Sequence, residues 1–452
     1  MILSRQSASD YLQAVYDELA EKNKEETEFL QAVNEVFHTL TEVLDRHPEY
    51  REHRIIERML EPEKLLVFRV EWLDDNNNVR INRGYRVQFN SALGPYKGGL
   101  RFDPSVNTSV VKFLGFEQMF KNALTGLPIG AGKGGADFDP KGKSDMEIMR
   151  FCQAYMTSLW RHLGADTDVP AGDIGVGKQE IGYLYGSYKK LQGENEAGIL
   201  TGKPSEIGGS LGREQATGYG LVYFVSEMMK NYGEQIEGKK VIVSGSGNVS
   251  LHAMEKIDEL GGTVVACSDS KGYIFDQNGI SPETVKEIKQ TRGENISVYT
   301  DKHRSASYTE GSEKIWQNAC DIALPCATQN ELDENAAHHL IENSVKIVAE
   351  GANMPCTNGA IEAFTSAGIL IGPGKAANAG GVTVSVFEMA QNASHLRWTF
   401  REVDEKLQET MTAIVKDIQA AAKQYGVKGQ LPAGANIVGF KRVADAMIKL
   451  GV

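Results

Sequence analysis

Apolar residues recur every three to four positions in two segments near the N-terminus, Tyr11 to Leu19 and Leu30 to Leu44. This spacing predicts two amphipathic helices. Further along, Leu66 to Trp72 and Tyr85 to Phe89 alternate apolar and polar residues, which predicts two strands joined by a turn at Asp74 to Asn78. Strands flanked by helices indicate that the chain begins with an α/β domain.

Glycines and apolar residues surround three lysines in the stretch after these strands. Lys97 and Lys133 each precede a pair of glycines, which allow sharp turns or a close approach to a ligand. Lys121 lies in a helical run from 110 to 124, and Gln118 lies three residues earlier on the same face. One such lysine would be typical of a solvated surface, but three together predict a pocket for an anion with more than one carboxylate.

A carboxylate, Asp173, follows on the glycine-rich segment P-A-G-D-I-G-V-G, 170–177, which we interpret as a loop. Lys133 and Asp173 form a lysine and carboxylate pair of the kind that transfers protons in enzymes. A lysine near other lysines in an apolar cleft is expected to have a lowered pKa, because desolvation and like charge both disfavour its ammonium form.

A second pattern begins after residues 199–214, a run rich in glycine and small polar residues that we interpret as the domain boundary. After a helix ending near Asn231, an apolar strand, Val241 to Ser244, leads through G-S-G-N into a predicted helix from Val249 to Leu260. This order is the dinucleotide-binding fingerprint, because the glycines permit a tight turn and the helix N-terminus faces the pyrophosphate. Ser250 replaces the third glycine of the strict pattern and still permits close packing.

Another strand, Thr263 to Cys267, and three later apolar runs each end in small polar residues. This is typical of parallel strands whose carboxyl ends carry a binding site. The predicted fold class is α/β with two domains. An N-terminal α/β substrate and assembly domain covers 1–206, a Rossmann-type dinucleotide-binding domain covers 207–428, and a cleft lies between them.

The composition of the chain limits the classes of partner that it is expected to bind. The length of 452 residues favours two domains, and the net charge of −12 argues against a nucleic-acid or anionic membrane partner. No apolar run approaches a membrane span, and the N-terminus is not that of a secretion signal. Five scattered cysteines are typical of free thiols in a reducing cytoplasm, and the adjacent His338 and His339 lack partners at metal-ligand spacing, so no metal site is predicted.

Five motifs in chain order resemble the hexameric glutamate dehydrogenases: G-P-Y-K-G-G-L-R, F-K-N-A-L, G-K-G-G-A-D-F-D-P, P-A-G-D-I-G-V-G and G-K-A-A-N-A-G-G-V. Ala131 departs from the family, which usually has glycine there, and the change concerns loop detail more than catalysis. The resemblance implies reversible conversion of L-glutamate to 2-oxoglutarate and ammonia, a cytoplasmic homohexamer used in ammonia assimilation, and a C-terminal helix, 429–452, that returns to the first domain.

Site residues follow from the resemblance, position by position. Lys97 and Ser385 are expected to bind the side-chain carboxylate of the substrate, and Lys121 and Gln118 the α-carboxylate, with Gly172 as a backbone contact. The expected catalytic residues are Lys133, which activates water, and Asp173, which relays a proton to or from the amine. The expected coenzyme contacts are Thr217, Gly245, Ser246, Gly247, Asn248, Val249, Ser268, Asp269, Lys289 and Asn353.

The choice of coenzyme rests on conflicting residues. Asp269, at the end of the second strand, would ordinarily accept hydrogen bonds from a ribose 2′-hydroxyl and favour NAD. It lies in S-D-S-K, however, and Lys289 and Arg292 share a predicted helix face from which they could reach a 2′-phosphate or simply be solvated. Because S-D-S resembles the NADP-dependent members of the family, we predict NADP, with NAD as the alternative.

Two other functions stay open. A dehydrogenase of apolar amino acids would share the two-domain plan, but an apolar substrate leaves the ammonium of Lys97 without a partner, which is costly when it is buried. A dinucleotide-binding regulator without turnover would have no need of Lys133 and Asp173.

Overall fold

The computed structural model describes residues 7–291 and 295–451. Its helices are α1 Ala8–Lys22, α2 Thr27–Phe37, α3 Thr41–Arg46, α4 Glu49–Glu52, α5 Ile55–Leu60, α6 Thr108–Leu124, α7 Asp145–Leu159, α8 Lys178–Gln192, α9 Ala216–Lys230, α10 Asn248–Glu259, α11 Pro282–Gln290, α12 Tyr299–Lys302, α13 Glu334–Glu342, α14 Asn358–Ser366, α15 Gly374–Ala377, α16 Gly380–Ser394, α17 Phe400–Gln424 and α18 Leu431–Leu450. Its strands are β1 Lys64–Leu73, β2 Val79–Asn90, β3 Tyr96–Phe102, β4 Ala131–Ala136, β5 Asp168–Gly172, β6 Lys240–Val243, β7 Thr263–Ser268, β8 Gly272–Phe275, β9 Ser307–Glu310, β10 Ile322–Leu324, β11 Ile347–Ala349 and β12 Leu370–Gly372.

Five of the described strands form a mixed sheet in the order β1-β2-β4-β3-β5. β1 and β2 contain the two predicted strands and pair antiparallel, as do β2 and β4, whereas β3 pairs parallel with both β4 and β5. The glycine-rich segments around Lys97 and Lys133 are therefore strands and not turns, and the segment before Asp173 is strand as far as Gly172. A Cβ at Gly98 would lie 1.7 Å from the carbonyl oxygen of Gly132, so the glycines allow these strands to approach closely.

The second predicted N-terminal helix is broken in the structure. α2 ends at Phe37 and α3 begins at Thr41. Between them the hydroxyl of Thr39 donates to the carbonyl oxygen of Val36 at 2.6 Å, and such a side-chain bond competes with continuation of the helix. The apolar period of the sequence continues across this break, which is why the pattern alone predicted one helix.

A buried ion pair crosses the mixed sheet. Arg86 of β2 donates to both carboxylate oxygens of Asp168 in β5, at 2.9 Å from Nε to Oδ2. Its third nitrogen donates to the carbonyl oxygen of Gly98 in β3 at 3.1 Å, and Gln88 also donates to Asp168 at 3.1 Å. Both side chains of the pair are fully buried, so this network fixes β2, β3 and β5 relative to one another.

The second sheet contains seven of the described strands in the order β12-β11-β10-β6-β7-β8-β9. The five strands from β12 to β7 are parallel, and β8 and β9 add an antiparallel edge. The chain moves from β6 to β7 on one side and from β10 to β12 on the other. The strand order thus reverses between β6 and β10, where parallel α/β sheets bind dinucleotides, and the predicted Rossmann-type fold is confirmed.

The chain divides into two compact units. The first comprises the described residues of 1–213, 384–403 and 436–452, and the second comprises Glu214–Thr383 and Asp404–Ala435. Ser385 therefore lies in the first unit, although the sequence ranges placed it in the second domain. The predicted domain limits themselves stay predictions.

Candidate active site

A short ion pair joins the two residues expected to be catalytic. Lys133 lies on β4, Asp173 directly follows β5, and the lysine Nζ donates to Oδ2 of the aspartate at 2.6 Å. The Nε of Arg101 donates to the same oxygen at 3.2 Å. A Cβ at Gly99 would lie 2.9 Å from Cβ of Asp173 and 3.4 Å from Nζ of Lys133, so only glycine leaves room for the pair.

Burial and charge set the proton affinities of this pair. Burial lowers the pKa of Lys133, and the nearby Arg101 guanidinium lowers it further, against the opposing effect of Asp173. Burial alone would raise the pKa of Asp173, but the two cations outweigh it and bring that pKa to about 2. The lowered lysine pKa expected from the sequence is confirmed, and the pair combines an ionised acceptor with an amine that releases its proton easily.

Lys97 is a buried cation on β3, with only 1% of its surface exposed. Its Nζ donates to the hydroxyl of Thr201 at 2.8 Å. Burial moves its pKa well below the usual lysine range, and Arg86 and Arg213 add to that effect. An ammonium group removed from water in this way gains from an anionic ligand that replaces the lost hydration.

Ser385 is joined to an arginine that the sequence reasoning missed. The Nε of Arg213 donates to the serine hydroxyl at 3.1 Å, and burial lowers the pKa of that guanidinium. The signal was present, because Arg213 is a cation among glycines and small polar residues, as the lysines are. The composition of its segment, 199–214, predicts a domain boundary but does not distinguish Arg213 as a site residue.

Lys121 and Gln118 lie on α6, as predicted. Burial, with the charge of Lys133, lowers the pKa of Lys121 to about 8. The influence of Lys133 on this pKa shows that the two lysines share one electrostatic environment. The expected substrate and catalytic residues are thus brought into one cluster of the first unit.

A second missed residue, Asn122, connects the parts of this cluster. Its side-chain amide donates to the carbonyl oxygen of Lys97 at 3.0 Å and to that of Gly130 at 2.6 Å. Its side-chain oxygen accepts from the amide of Gln118 at 2.6 Å. One buried side chain therefore aligns the strand of Lys97, the segment before β4 and the side chain of Gln118.

The predicted glycine turn lies between β6 and α10. Gly245 has φ +82°, and a Cβ there would lie 2.7 Å from Oγ of Ser250, so both the backbone and the available space require glycine. Its N–H donates to the hydroxyl of Ser268 at 2.8 Å. A Cβ at Gly247 would meet no atom within 4 Å, so the backbone at the start of α10 is open to a ligand.

The N-terminus of α9, where Thr217 lies, is held close to that of α10. Asn248 donates to the carbonyl oxygen of Glu214 at 2.7 Å. A Cβ at Gly218 would lie 2.6 Å from the carbonyl oxygen of Val249, so the two helix backbones are in direct contact. Thr217, Ser246, Asn248 and Val249 are therefore grouped around the same turn.

Asp269 follows β7, but the backbone already occupies its carboxylate. Oδ1 accepts N–H groups from Lys271 at 2.9 Å and Gly272 at 3.3 Å, and Oδ2 accepts that of Ile296 at 3.0 Å. A carboxylate that accepts three backbone hydrogen bonds points toward the protein backbone. It is therefore less available to a ribose hydroxyl than its position in the sequence suggests.

Lys289 is exposed in the last turn of α11. Its charge lowers the pKa of Cys267, which burial raises overall to about 12, so the charge acts at the carboxyl end of β7. Arg292, the second cation expected on this helix face, lies outside the described residues.

Asn353 lies in the segment that follows β11. Asn378 donates to its side-chain oxygen at 3.1 Å and to the carbonyl oxygen of Ala352 at 3.1 Å. The buried carboxylate of Glu350 accepts the N–H of Gly374 at 2.7 Å, and burial raises the pKa of this carboxyl group. These bonds fix the position of Asn353 at the carboxyl edge of the parallel strands.

The second unit fits a dinucleotide. It combines an open glycine turn, the N-terminus of the twelve-residue helix α10, and polar groups at the ends of β7 and β11. Within residues 7–291 and 295–451, no cluster of three or more histidine, cysteine, aspartate or glutamate side chains is suited to a metal ion. In the same residues no helix combines the length and apolarity needed to cross a membrane.

Comparisons with known proteins agree with this architecture. Residues 208–451 match the Glutamate/Leucine/Phenylalanine/Valine dehydrogenase family, and residues 62–190 match the Glu/Leu/Phe/Val dehydrogenase dimerisation domain. The NADP-specific glutamate dehydrogenase of Escherichia coli is 54% identical over 447 residues, which is 98% of each chain. The NAD-specific glutamate dehydrogenase of Clostridium symbiosum is 51% identical over 98% of this chain and 99% of its own. The crystal structure of Plasmodium falciparum glutamate dehydrogenase superposes with a TM-score of 0.96 at 50% identity, covering 98% of this chain and 95% of that one. The chain therefore belongs to the Glutamate/Leucine/Phenylalanine/Valine dehydrogenase family.

Proposed function

We propose that this protein is an NADP-dependent glutamate dehydrogenase, which interconverts L-glutamate and 2-oxoglutarate plus ammonia. The observation that carries the choice of substrate is the burial of Lys97, which is 1% exposed and bonded to Thr201. A substrate with a second carboxylate gives this ammonium a charged partner, whereas an apolar side chain would leave it with a hydroxyl alone.

Each carboxylate of glutamate has its own lysine in this proposal. Lys97 and Ser385 bind the side-chain carboxylate, with Arg213 beside Ser385. Lys121 and Gln118 bind the α-carboxylate. Because Lys97 and Lys121 lie on different elements, β3 and α6, an amino acid of the wrong length would leave one of the two ammonium groups unpaired.

Lys133 and Asp173 carry the proton transfers. In the deamination direction, Asp173 accepts a proton from the α-ammonium group of glutamate. NADP⁺, held by the glycine turn of the second unit, would supply the acceptor for the hydride of Cα, so that the substrate becomes an imine. Lys133, in its neutral form, accepts a proton from a water molecule as the water oxygen bonds to the imine carbon. Asp173 then returns the proton that it took from the ammonium group to the nitrogen, and the C–N bond breaks as the carbonyl forms. The lowered pKa of Lys133 supports this role, because burial makes the neutral amine more accessible than it is in a solvated lysine.

The same residues act in reverse during amination of 2-oxoglutarate. Asp173 receives a proton from the entering ammonium, and Lys133 returns its proton as water leaves. Gly172, directly before Asp173, is proposed as a backbone contact of the substrate.

NADP is favoured over NAD by the region after β7. The carboxylate of Asp269 accepts three backbone N–H groups, so it is directed away from the role that would select a ribose hydroxyl. Ser268 ends the strand, and Lys289 places a positive charge near it. NAD remains the second candidate, because the Clostridium symbiosum relative is named NAD-specific.

We infer a homo-oligomer, specifically a hexamer, in the cytoplasm. One face of the β1–β2 hairpin exposes apolar side chains: Leu65, Val67, Leu73, Val79 and Ile81. An apolar sheet face of this kind is typical of a subunit interface. The five cysteines, all in the described residues, are buried free thiols, as expected in a reducing compartment.

The test is an assay of reduced nicotinamide absorbance with purified protein. We expect oxidation of NADPH with 2-oxoglutarate plus ammonium, and little oxidation with an apolar 2-oxo acid such as 4-methyl-2-oxopentanoate. A preference for the apolar acid would replace the proposed substrate, and no turnover with either would leave a dinucleotide-binding regulator. Equal or better catalytic efficiency with NADH would overturn the choice of coenzyme.

A further inference from the structure

Glu388 has a buried carboxylate in the first unit and is not among the expected site residues. It lies on α16, one helical turn after Ser385. Its Oε1 accepts from Nζ of Lys203 at 2.7 Å, and both side chains are fully buried. Its Oε2 accepts the N–H of Gly202 at 2.9 Å.

The carboxylate of Glu388 also holds in place the segment that contains Thr201. Lys203, which is bonded to Glu388, also donates through Nζ to the carbonyl oxygen of Leu200. Residues 200–203 are thereby fastened to α16 on both sides of Thr201. Thr201 in turn accepts the hydrogen bond of Lys97.

The charge of Glu388 also reaches beyond its direct partner. Burial lowers the pKa values of Lys97 and Arg213, and in both cases Glu388 opposes that effect. Buried cations without a counter-charge lose their proton or disturb the local structure. Glu388 is thus a shared counter-charge for Lys203, Lys97 and Arg213.

We propose that Glu388 is a positioning residue for recognition of the substrate's side-chain carboxylate. It fixes Thr201 against Lys97 and stabilises the cations of this subsite before the substrate arrives. The inference rests on the proposed function, because it assumes that Lys97 binds the second carboxylate of glutamate. Lys203 is the partner that keeps Glu388 in place.

A purely structural role would have a different signature. If Glu388 only held the fold together, its loss would lower stability and affect all substrates by the same factor. As a positioning residue it affects glutamate, which has the second carboxylate. It spares 2-aminopentanoate, which has the same α-carboxylate and amine but an apolar end.

The experiment compares Glu388→Gln with the wild-type enzyme. Glutamine has nearly the same shape and keeps one acceptor oxygen, but it has no charge. We expect KM for glutamate to rise about tenfold, a factor that corresponds to ~1.4 kcal/mol. KM for glutamate should also start to increase with pH at a lower pH in the variant than in the wild type. The reason is that Lys97 loses a neighbouring charge that favours its ammonium form. KM for 2-aminopentanoate, or its inhibition constant if turnover is slow, should change less than about twofold, since it makes no use of the second-carboxylate subsite.

Glu26→Gln is a matched control. Glu26 pairs with Nζ of Lys112, a buried lysine of the same unit, at 2.5 Å, so this variant also removes the carboxylate of a lysine pair. This control variant should leave the ratio of KM for glutamate to KM for 2-aminopentanoate unchanged. Glu388→Asp keeps the charge and is expected to bring the pH profile back toward that of the wild type.

A double variant and a binding measurement test the same role of Glu388. If Glu388→Gln does not fold, Lys203→Met combined with Glu388→Leu replaces the pair by apolar side chains, an exchange that buried ion pairs often tolerate. Its affinity for glutarate, measured by calorimetry, should fall about tenfold, the same factor as for glutamate. Equal changes for glutamate and 2-aminopentanoate, or unchanged glutarate binding, would overturn the proposal. A wild-type enzyme that does not oxidise glutamate would instead overturn the proposed function itself.

Discussion

The two candidate sites are built from different parts of the polypeptide. In the first unit the functional groups are charged side chains taken out of water, and burial lowers the pKa values of Lys97, Lys121 and Lys133. In the second unit the site is mostly backbone, with an open glycine turn and a carboxylate, that of Asp269, which backbone donors already occupy. A site of buried charges is sensitive to lost charges and to pH, whereas a site of backbone is sensitive to added atoms.

Removal of the proposed catalytic lysine is expected to have the largest effect at the site of buried charges. Lys133→Ala should lower kcat by about 10²- to 10⁴-fold, the usual contribution of a general acid or base. KM for glutamate should change little, because Lys133 is not assigned to either carboxylate. Steady-state kinetics measure both values, and the exposed Lys141→Ala is the control. Near-normal turnover would remove Lys133 from the mechanism.

Lys97→Leu separates substrate recognition from catalysis. We expect kcat/KM for glutamate to fall about 100-fold, since the loss of one partner of a buried charge pair costs ~2–5 kcal/mol. Use of an apolar amino acid should be spared or improved, because the leucine replaces an unpaired ammonium. Unchanged activity with glutamate would mean that its side-chain carboxylate is bound elsewhere.

A pH series sharpens the contrast between the two sites. Lys121 is proposed to bind the α-carboxylate as an ammonium ion, and burial together with the charge of Lys133 lowers its pKa to about 8. Deprotonation above that pH removes the charge, so this group should lower kcat/KM up to about tenfold for each further pH unit. Glutamate and 2-aminopentanoate should share this limb, because both have an α-carboxylate. Binding of NADPH, followed by fluorescence over the same range, should not decline with it.

Added atoms test the backbone site. Gly247→Ala places a Cβ where no protein atom lies within 4 Å, so the melting temperature should be unchanged. KM for NADPH should nevertheless rise about tenfold, because the phosphates are proposed to approach the backbone there. Gly245→Ala is the matched comparison. Its φ of +82° and the contact with Ser250 predict a loss of stability of ~1–3 kcal/mol. If Gly247→Ala bound NADPH normally, the phosphates would lie elsewhere.

The smallest expected effect concerns the coenzyme phosphate. Lys289→Glu should raise KM for NADPH about fivefold and leave KM for NADH nearly unchanged, since an exposed charge is partly screened by salt. Lys286→Glu, an exposed position on the same helix, is the control. Equal effects on both coenzymes would show that Lys289 does not recognise the 2′-phosphate.

The sequence was sufficient for features that are local. The helix periodicity, the β1–β2 hairpin and the G-x-G turn each depend on neighbouring residues. The strands β3, β4 and β5 were missed because glycine has no side chain to show a period of two. The hydrogen-bond partners of the predicted site residues were missed because they are distant in sequence. Lys97 and Thr201 are 104 residues apart, and Arg213 and Ser385 are 172 apart.

The coenzyme region shows the same limit in a different form. The sequence places Asp269 at the position that would select a ribose hydroxyl. It does not show that the N–H of Ile296, 27 residues later, bonds to the same carboxylate. The residue type was therefore predictable, but its availability to a ligand was not.

The ion pair of Arg86 and Asp168 has a consequence for the order in which the protein is made. Its two residues are separated by 82 positions, and the guanidinium also holds the carbonyl oxygen of Gly98 in the strand of Lys97. A ribosome has therefore released β2, β3 and β4 well before the strand that neutralises Arg86 emerges. Until then the nascent chain carries Arg86 without its carboxylate, close enough to Lys97 and Lys133 for its charge to act on both. Closing the sheet around these cations would have a large electrostatic cost. Completion of the proposed substrate site is thus coupled to the arrival of β5, so a chain truncated before Asp168 has all three lysines but lacks the buried carboxylate that neutralises Arg86.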